Sequence, residues 1–489
     1  MKPAIIAART SPTAKELLLL VLLTAASFAV HGYHPYVEDA EIYVPGIKKA
    51  LNPGLYPYNA GFFASHAHLT LFPKLIAASV RITHLPFDWA LLLWQFSAVF
   101  MLLLACWHLG RLCFDDPRAK WGGVALVASL LTIPVAGTAL YIMDQYLTSR
   151  ALSTPAVLFI VVNTLEKKFW RAGLWAAFTA SIHPLMVVFG LSYAVLVIGI
   201  RRVRLQPRLQ TASIPFFPPM TETYRQVLQT RSYFFLLQWE WYEWVGIFAP
   251  WLIFWWFGRI ARHRGLNLLA SLCKASIVFG LVFFLAGVVI TIPASMARFA
   301  ELQPMRSLHL LYIVLFVFAG GMLGQFVLKN HLWRWLLLFV PIAAGMGYAQ
   351  RQLFPATPQL ELPDLAPRND WVAAFLWVRD NTPNDAYFAL DPEHMEIPGE
   401  DQHGFRAIAE RSMLADKIKD SGAVTMFPSL AETWQQQVQA QAGWKSFNST
   451  DFEQLRHVLG VTWVILNPPE SSGMECPYQN NTVVVCRIR

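Results

Sequence analysis

Glu38, Asp39 and Glu41 place three carboxylates within four residues, in the stretch HGYHPYVEDAEIYVPG. They follow directly on the apolar run from Leu17 to Val30. Acidic side chains beside a bilayer are costly to bury, so a functional reason is sought first. A carboxylate at that depth takes a proton from an acceptor, holds a metal, or pairs with a buried cation. His34, His66 and His68 stand near these acids in sequence. A His-Xaa-His pair close to carboxylates leaves a divalent cation open as a ligand, although the spacing specifies no particular metal and no other cofactor.

Further ionisable residues interrupt apolar sequence elsewhere. Asp144 and Arg150 lie in MDQYLTSR, Arg298 and Arg306 in ARFAELQPMRSLH, and His183 inside a long apolar stretch. A guanidinium beside a membrane cavity suits phosphate, because its planar fork offers several donors and stays charged. The alternative for each arginine is a neighbouring acid or a lipid headgroup.

These residues need a scaffold, and the composition says which kind. Of the 489 residues, 55% are hydrophobic and 14% charged, with 19 Trp and 34 Phe. A soluble chain carries about 25% charged residues. The mean hydropathy is +0.40. The chain therefore reads as a polytopic α-helical membrane protein. Its net charge of +8 does not point to nucleic acid, because the basic residues mostly flank apolar segments, as the positive-inside rule requires.

A spanning helix needs roughly 20 apolar residues. That criterion predicts about nine spans, near 17–32, 88–110, 121–142, 151–166, 172–199, 242–258, 275–293, 307–328 and 332–350. Lys2, Arg9 and Lys15 precede the first run as in a signal peptide, but no small-residue cleavage site follows, so it reads as an uncleaved helix. With a cytoplasmic N-terminus, the cytoplasmic turns hold Arg111, Arg118 and Lys120; Lys167, Lys168 and Arg171; Arg259, Arg262 and Arg264; Lys329 and Arg334. Arg201, Arg202, Arg204 and Arg208 break the rule if 172–199 is a single Pro-kinked span. Two half-helices broken at His183-Pro184 would restore it, but would require another crossing within 209–241, where no run is long enough.

The expected division is a multi-span domain over 1–352 with external loops 32–87 and 201–241, a Pro-rich linker over 353–370, and an extracytoplasmic α/β domain over 371–489. The aromatic-rich part of 201–241 reads as an interfacial helix. In the last domain, DWVAAFLWVRDNT has helical spacing, while AYFAL, VTWVIL and NTVVVCRI read as strands. The acidic loop DPEHMEIPGEDQHG lacks EF-hand spacing and reads as solvated. Cys106, Cys113 and Cys273 show no metal-ligand spacing, whereas Cys476 and Cys486 flank PYQNNTVVV. Those two either close a hairpin by a disulfide in an oxidising compartment or stay free.

Taken together, this plan resembles the GT-C superfamily of integral-membrane glycosyltransferases. VEDAE sits where those enzymes place an essential carboxylate after helix one, and DQYLTSR where many place a second acidic loop. LQPMRSLHLLY looks like their external Arg-bearing segment. WVRDNTP is similar to the opening of the soluble domain in oligosaccharyltransferase-like members, and FRAIAERSMLADKIKD looks like tails of uncharacterised bacterial relatives. The acceptor signature WWDYG is absent, so peptide glycosylation is not implied.

The resemblance implies a hexosyl- or pentosyltransferase in the inner membrane, with a polyprenyl-phosphate- or diphosphate-linked sugar as donor. Asp39, or else Glu38, would be general base, and Asp144 a catalytic partner or metal contact. Arg298 and Arg306 would face the departing phosphate; Arg150, His183, Glu41, His66 and His68 would contact substrate. Two other readings stay open: a transporter or flippase of a lipid-linked or anionic substrate, and a non-catalytic membrane scaffold whose external domain binds a partner.

Overall fold

A computed structural model describes residues 11–202, 220–365, 369–468 and 474–488. Within these, six helices are long and apolar enough to cross a membrane, and this is a multi-pass membrane protein. The first, α1 (Ala14–His31), starts at a capping box in which Thr13 and Glu16 satisfy each other's end of the helix. Three short helices follow it at its far end, α2 (Ala40–Leu51), α3 (Gly61–Leu69) and α4 (Phe72–Thr83). The bundle continues with α5 (Phe87–Cys113), α6 (Pro117–Ser129), α7 (Ser149–Leu165), α8 (Phe169–Ile182) and α9 (Pro184–Arg202). A short α10 (Glu222–Gln229) leads into α11 (Trp241–His263), α12 (Asn267–Thr291), α13 (Leu308–Met322) and α14 (Leu332–Leu353).

Three of the nine expected spans are not among these six helices: 151–166 is helical but short, as α7, and the other two take a different form. The apolar run 121–142 is helical only to Ser129. Pro134 and Gly137 punctuate the remainder, Ala136 and Ala139 adopt left-handed backbone, and Pro134 bridges Tyr141. Residues 130–148 thus form an irregular segment enclosed by protein, with Leu131, Val135, Leu140 and Ile142 buried. Gln95 Nε2 donates to the Asp144 carbonyl at 2.7 Å and His309 Nε2 contacts the Ile142 carbonyl at 3.0 Å.

The run 172–199 is broken at His183-Pro184, whose first residue is non-helical. The chain then turns back. The Ser181 carbonyl accepts from the backbone N–H of Leu71 among the short helices, whereas Phe189 and Tyr193 meet Phe283 and Phe279 edge to face, in turn, as α9 runs antiparallel to α12. The end of α9 therefore lies at the same, basic end of the bundle as the start of α12. The two half-helices set aside on sequence grounds are the observed form, and Arg201 and Arg202 cease to be exceptions. Arg204, Arg208 and most of PFFPPM lie outside the described residues.

The glycines of α6 and α13 bring those helices together. A Cβ on Gly122 or Gly320 would run into the other's backbone, as small residues permit in membrane packing. The bundle core includes Trp107, Phe254, Phe279 and Phe318, all fully buried.

The C-terminal region is α/β, as its alternating helical and strand-like runs lead one to expect. Its sheet has the order β2-β1-β3-β5-β4, from β1 (Tyr387–Ala389), β2 (Ser412–Met413), β3 (Trp463–Leu466), β4 (Glu475–Gln479) and β5 (Val484–Arg487). β1 pairs in parallel with both neighbours, and β5 antiparallel with β3 and β4. One face is covered by α15 (Asp370–Asn381) and α16 (Phe405–Ala409), through Trp371, Phe375 and Phe405. The other packs on Trp444 and on Phe452 and Leu455 of α19 (Ser449–Leu459). Cys476 and Cys486 are joined across the β4–β5 pair.

Candidate functional site

The carboxylates of the opening motif diverge. Glu38 adopts left-handed backbone (φ 55°), uncommon for a side-chain-bearing residue and concentrated at functional positions. Asp39 precedes α2 without capping it, which leaves its carboxylate for other partners. Both are half-buried, and both meet Lys419 from the C-terminal domain: the ammonium pairs with Glu38 and lies 3.3 Å from Asp39 Oδ1. Burial raises the Asp39 carboxyl, but Lys419, Arg150 and Arg306 outweigh it and hold it at about 2. Tyr146 Oη accepts from the Asp39 N–H at 3.3 Å.

Glu41 points the other way. It is fully buried and accepts from the backbone N–H groups of Arg406 and Ala407, each at 3.0 Å. Arg406, also buried, is held by Asp420, with Nη2 2.5 Å from Oδ2. Glu41 thus docks the first turn of α2 onto α16, instead of facing the cavity. Asp420 opens α17 (Asp420–Met426), which packs with α10 and α18 (Ala431–Ala440). Tyr224 of α10 donates to the Thr425 carbonyl at 2.7 Å. Part of the segment expected at the membrane interface packs on the C-terminal region through Val227, Leu228 and Phe234, while Leu237, Trp241 and Tyr242 stay exposed.

A cavity of about 520 Å³ opens where α2, α3, α9, the 294–307 segment and α17 meet. Tyr43, His66, Ser149, His183, Gln303 and Arg306 supply its polar wall. Exposed Leu69, Val188 and Leu302 form an apolar rim. Arg306 stands over the Tyr233 ring at 5.8 Å, and forms no ion pair among the described residues. Its Nε, His66 Nδ1 and Gln303 Oε1 are buried without a hydrogen-bond partner. Three orphaned polar atoms on one wall are unusual, because buried polar groups are normally satisfied. Burial pushes the His66 imidazole down to about 4, so it stands neutral at physiological pH.

Tyr43, one turn after Asp39 on α2, ties the acids to this wall. It lines the cavity beside Ser149, and burial raises its hydroxyl while Arg150, Asp39 and Arg306 also act on it. Arg150 pairs with Asp144 at 2.5 Å, both buried. Asp144 is thereby a partner of Arg150 and not a free carboxylate; burial raises its carboxyl against the pull of Arg150.

His66, His183 and Arg306 line the cavity, whereas Asp39 and Arg150 lie behind its wall and act on Tyr43. Arg298 is half-buried near Tyr224 and does not line it. His68 is exposed, since residues two apart on a helix face different ways, so the His-Xaa-His pair of α3 does not converge. Among the described residues no group of three or more His, Cys, Asp or Glu side chains could hold a metal ion.

His34 is spent elsewhere. Its Nδ1 meets Glu361 of the linker at 2.7 Å, and His403 Nε2 meets the same carboxylate at 3.0 Å. In the loop read as solvated, Asp401 is buried and accepts from the Ala356 N–H at 3.0 Å. Sequence reasoning did not single out Lys419, Tyr43, Ser149 and Gln303. Each nevertheless lies inside a quoted motif: Tyr43 in HGYHPYVEDAEIYVPG, Ser149 in DQYLTSR, Gln303 in LQPMRSLHLLY and Lys419 in FRAIAERSMLADKIKD.

No family model matches the sequence, and no curated protein matches it. Among solved structures, the oligosaccharyltransferase of Archaeoglobus fulgidus in its apo form aligns at 13% identity with a TM-score of 0.38, over 92% of this chain and 69% of its own. The archaeal oligosaccharyltransferase AglB from Archaeoglobus fulgidus, in complex with an inhibitory peptide and a dolichol-phosphate, aligns at 12% identity with a TM-score of 0.34 over the same shares. At these TM-scores the site has to be read from the chain's own residues.

Proposed function

We propose that this chain is a membrane glycosyltransferase that moves a sugar from a polyprenyl-phosphate or -diphosphate donor to an acceptor on the extracytoplasmic side. The observation that carries the reading is Arg306: a cation with a buried, unpartnered Nε and no ion pair among the described residues, on the polar wall of a cavity with an apolar rim. Such a cavity suits a phosphate at the wall and a hydrocarbon chain running out over Leu69, Val188 and Leu302.

The acceptor oxygen bonds to the anomeric carbon as the bond from that carbon to the phosphate oxygen breaks. The electron pair leaves with the phosphate, and Arg306 faces the growing charge. The acceptor proton passes to Asp39. A carboxyl held at about 2 is a weak base, so the transfer comes late, once the bonded acceptor oxygen has become strongly acidic. Arg150, anchored by Asp144, and Lys419 keep Asp39 ionised until then.

The test uses the full chain in vesicles with a radiolabelled polyprenyl-phosphate-linked sugar, following label out of the lipid fraction. Asp39→Asn should lower turnover by at least 100-fold at wild-type expression. Full activity in that variant would remove Asp39 from the mechanism, and no label loss with any lipid-linked sugar would remove the transferase reading.

A further inference from the structure

A second cavity, of about 280 Å³, opens at the opposite, basic end of the bundle, between the end of α5, the end of α7 and the start of α8. Arg111, Lys168 and Arg171 line it together with His108, Asn163 and a single carboxylate, Glu166. Lys168 pairs with Glu166 at 2.6 Å, so the lining is net positive. The inner wall is the stacked pair Phe159 and Trp175, with ring centroids 4.9 Å apart.

The positions of the cations relative to aromatic rings matter. Arg111 sits 4.5 Å over Trp107, and Arg171 5.1 Å over Trp170. Trp170, Phe169 and Leu174 are exposed beside the mouth. Tryptophan next to Lys and Arg at a helix end marks the headgroup level of a bilayer. The cavity is therefore open to an anion that arrives attached to a hydrocarbon chain, with the anion reaching the cations while the chain lies along α8. Positive residues that merely obey the charge rule would project into solvent; these surround a concavity.

We infer that this cavity binds the phosphate headgroup of an anionic phospholipid from the leaflet opposite the candidate site. The bound lipid would brace the far ends of α7 and α8, whose other ends carry Ser149, Arg150 and His183. The inference does not depend on the transferase reading.

The test uses purified, delipidated full-length protein, with native mass spectrometry and thermal unfolding. Phosphatidylglycerol should remain bound as a discrete adduct and raise the unfolding midpoint, and phosphatidylcholine should do neither. The double variant Lys168→Gln/Arg171→Gln removes two exposed cations without touching the core, and should weaken phosphatidylglycerol retention roughly 30-fold. Inorganic phosphate at millimolar concentration should not reproduce the stabilisation. Equal stabilisation by inorganic phosphate would assign the site to a soluble anion and overturn the lipid. Equal binding of both lipids, or unchanged retention in the double variant, would overturn the site itself.

Discussion

Arg306→Met separates a ligand-binding arginine from a structural one, because the two make opposite predictions for stability. Arg306 forms no ion pair among the described residues, and its Nε is buried without a partner. Methionine keeps an unbranched apolar stem, and removes the guanidinium that stands over Tyr233. Burial of this cation costs more than the Tyr233 ring and the Asp39 carboxylate return. The variant should therefore unfold at the wild-type temperature or a few degrees above it. Function should move the other way. A hydrogen bond to a charged group contributes about 1.5–3 kcal/mol, and each 1.4 kcal/mol is about tenfold in affinity. Binding of a short polyprenyl phosphate, followed by thermophoresis in detergent, should weaken roughly 10- to 150-fold. Unchanged affinity together with a lower unfolding temperature would refute the reasoning and make Arg306 a packing residue.

Lys419→Met withdraws the first of the cations that depress Asp39. The acid limb of kcat/KM against pH should move upward by on the order of 1–2 pH units toward the ordinary value near 3.9; an unmoved limb would disconnect Lys419 from the reacting carboxylate. The His34–Glu361–His403 contact should stabilise the protein in a defined pH window. Glu361 is held at about 2, with burial opposing and His403 and His34 prevailing, so its contribution is present above about 4.3 and fades as pH falls toward 2. Although burial opposes it, Glu361 raises His403, whose contribution is full below about 6.5 and lost as pH climbs through its higher folded value. The difference in unfolding temperature between wild type and Glu361→Gln should be largest between those limits; a difference flat from pH 4 to 9 would count against it. Glu41→Ala leaves two buried N–H groups of α16 unpaired and should cost about 2–4 kcal/mol. Its readout is faster proteolysis in the 353–370 linker, and wild-type resistance would show that α16 docks by other contacts.

The residues at the site differ in how far sequence alone could find them, and the reason is their surroundings. Arg306, His183 and His66 stand out because ionisable side chains are rare amid apolar sequence, so each one asks for an explanation. Asp39 stands out for the same reason, whereas its neighbour Glu41 carries an identical signal and turns out to be a docking contact. Composition does not separate the two, since the difference lies in which face of α2 meets α16. Lys419 sits in polar sequence where a lysine is unremarkable, and only the tertiary fold brings it to Asp39. The span expected over 121–142 shows the limit of hydropathy. Leu131, Val135, Leu140 and Ile142 are as buried as helical residues would be, but Pro134 and Gly137 give the backbone an irregular path. At His183-Pro184 the charge rule already favoured the observed break, and only the lack of a visible return crossing argued against it.

The pairing of Lys419 with Asp39 joins residues 380 positions apart, and that separation has a consequence for biosynthesis. At roughly 5–20 residues per second, the acids emerge on the order of 20–80 s before their lysine. During that interval the membrane half holds Glu38, Asp39 and Glu41 without Lys419, α16 or α17. Closing so long a loop adds only a slowly growing entropic cost, so the delay is one of order and not of stability. The cavity beside the acids acquires Met426 and Phe427 of its lining only when the tail folds onto it. A chain stopped before residue 405 would carry Glu38, Asp39 and Glu41 without the Lys419, Arg406 and Ala407 groups that pair with them in the complete fold.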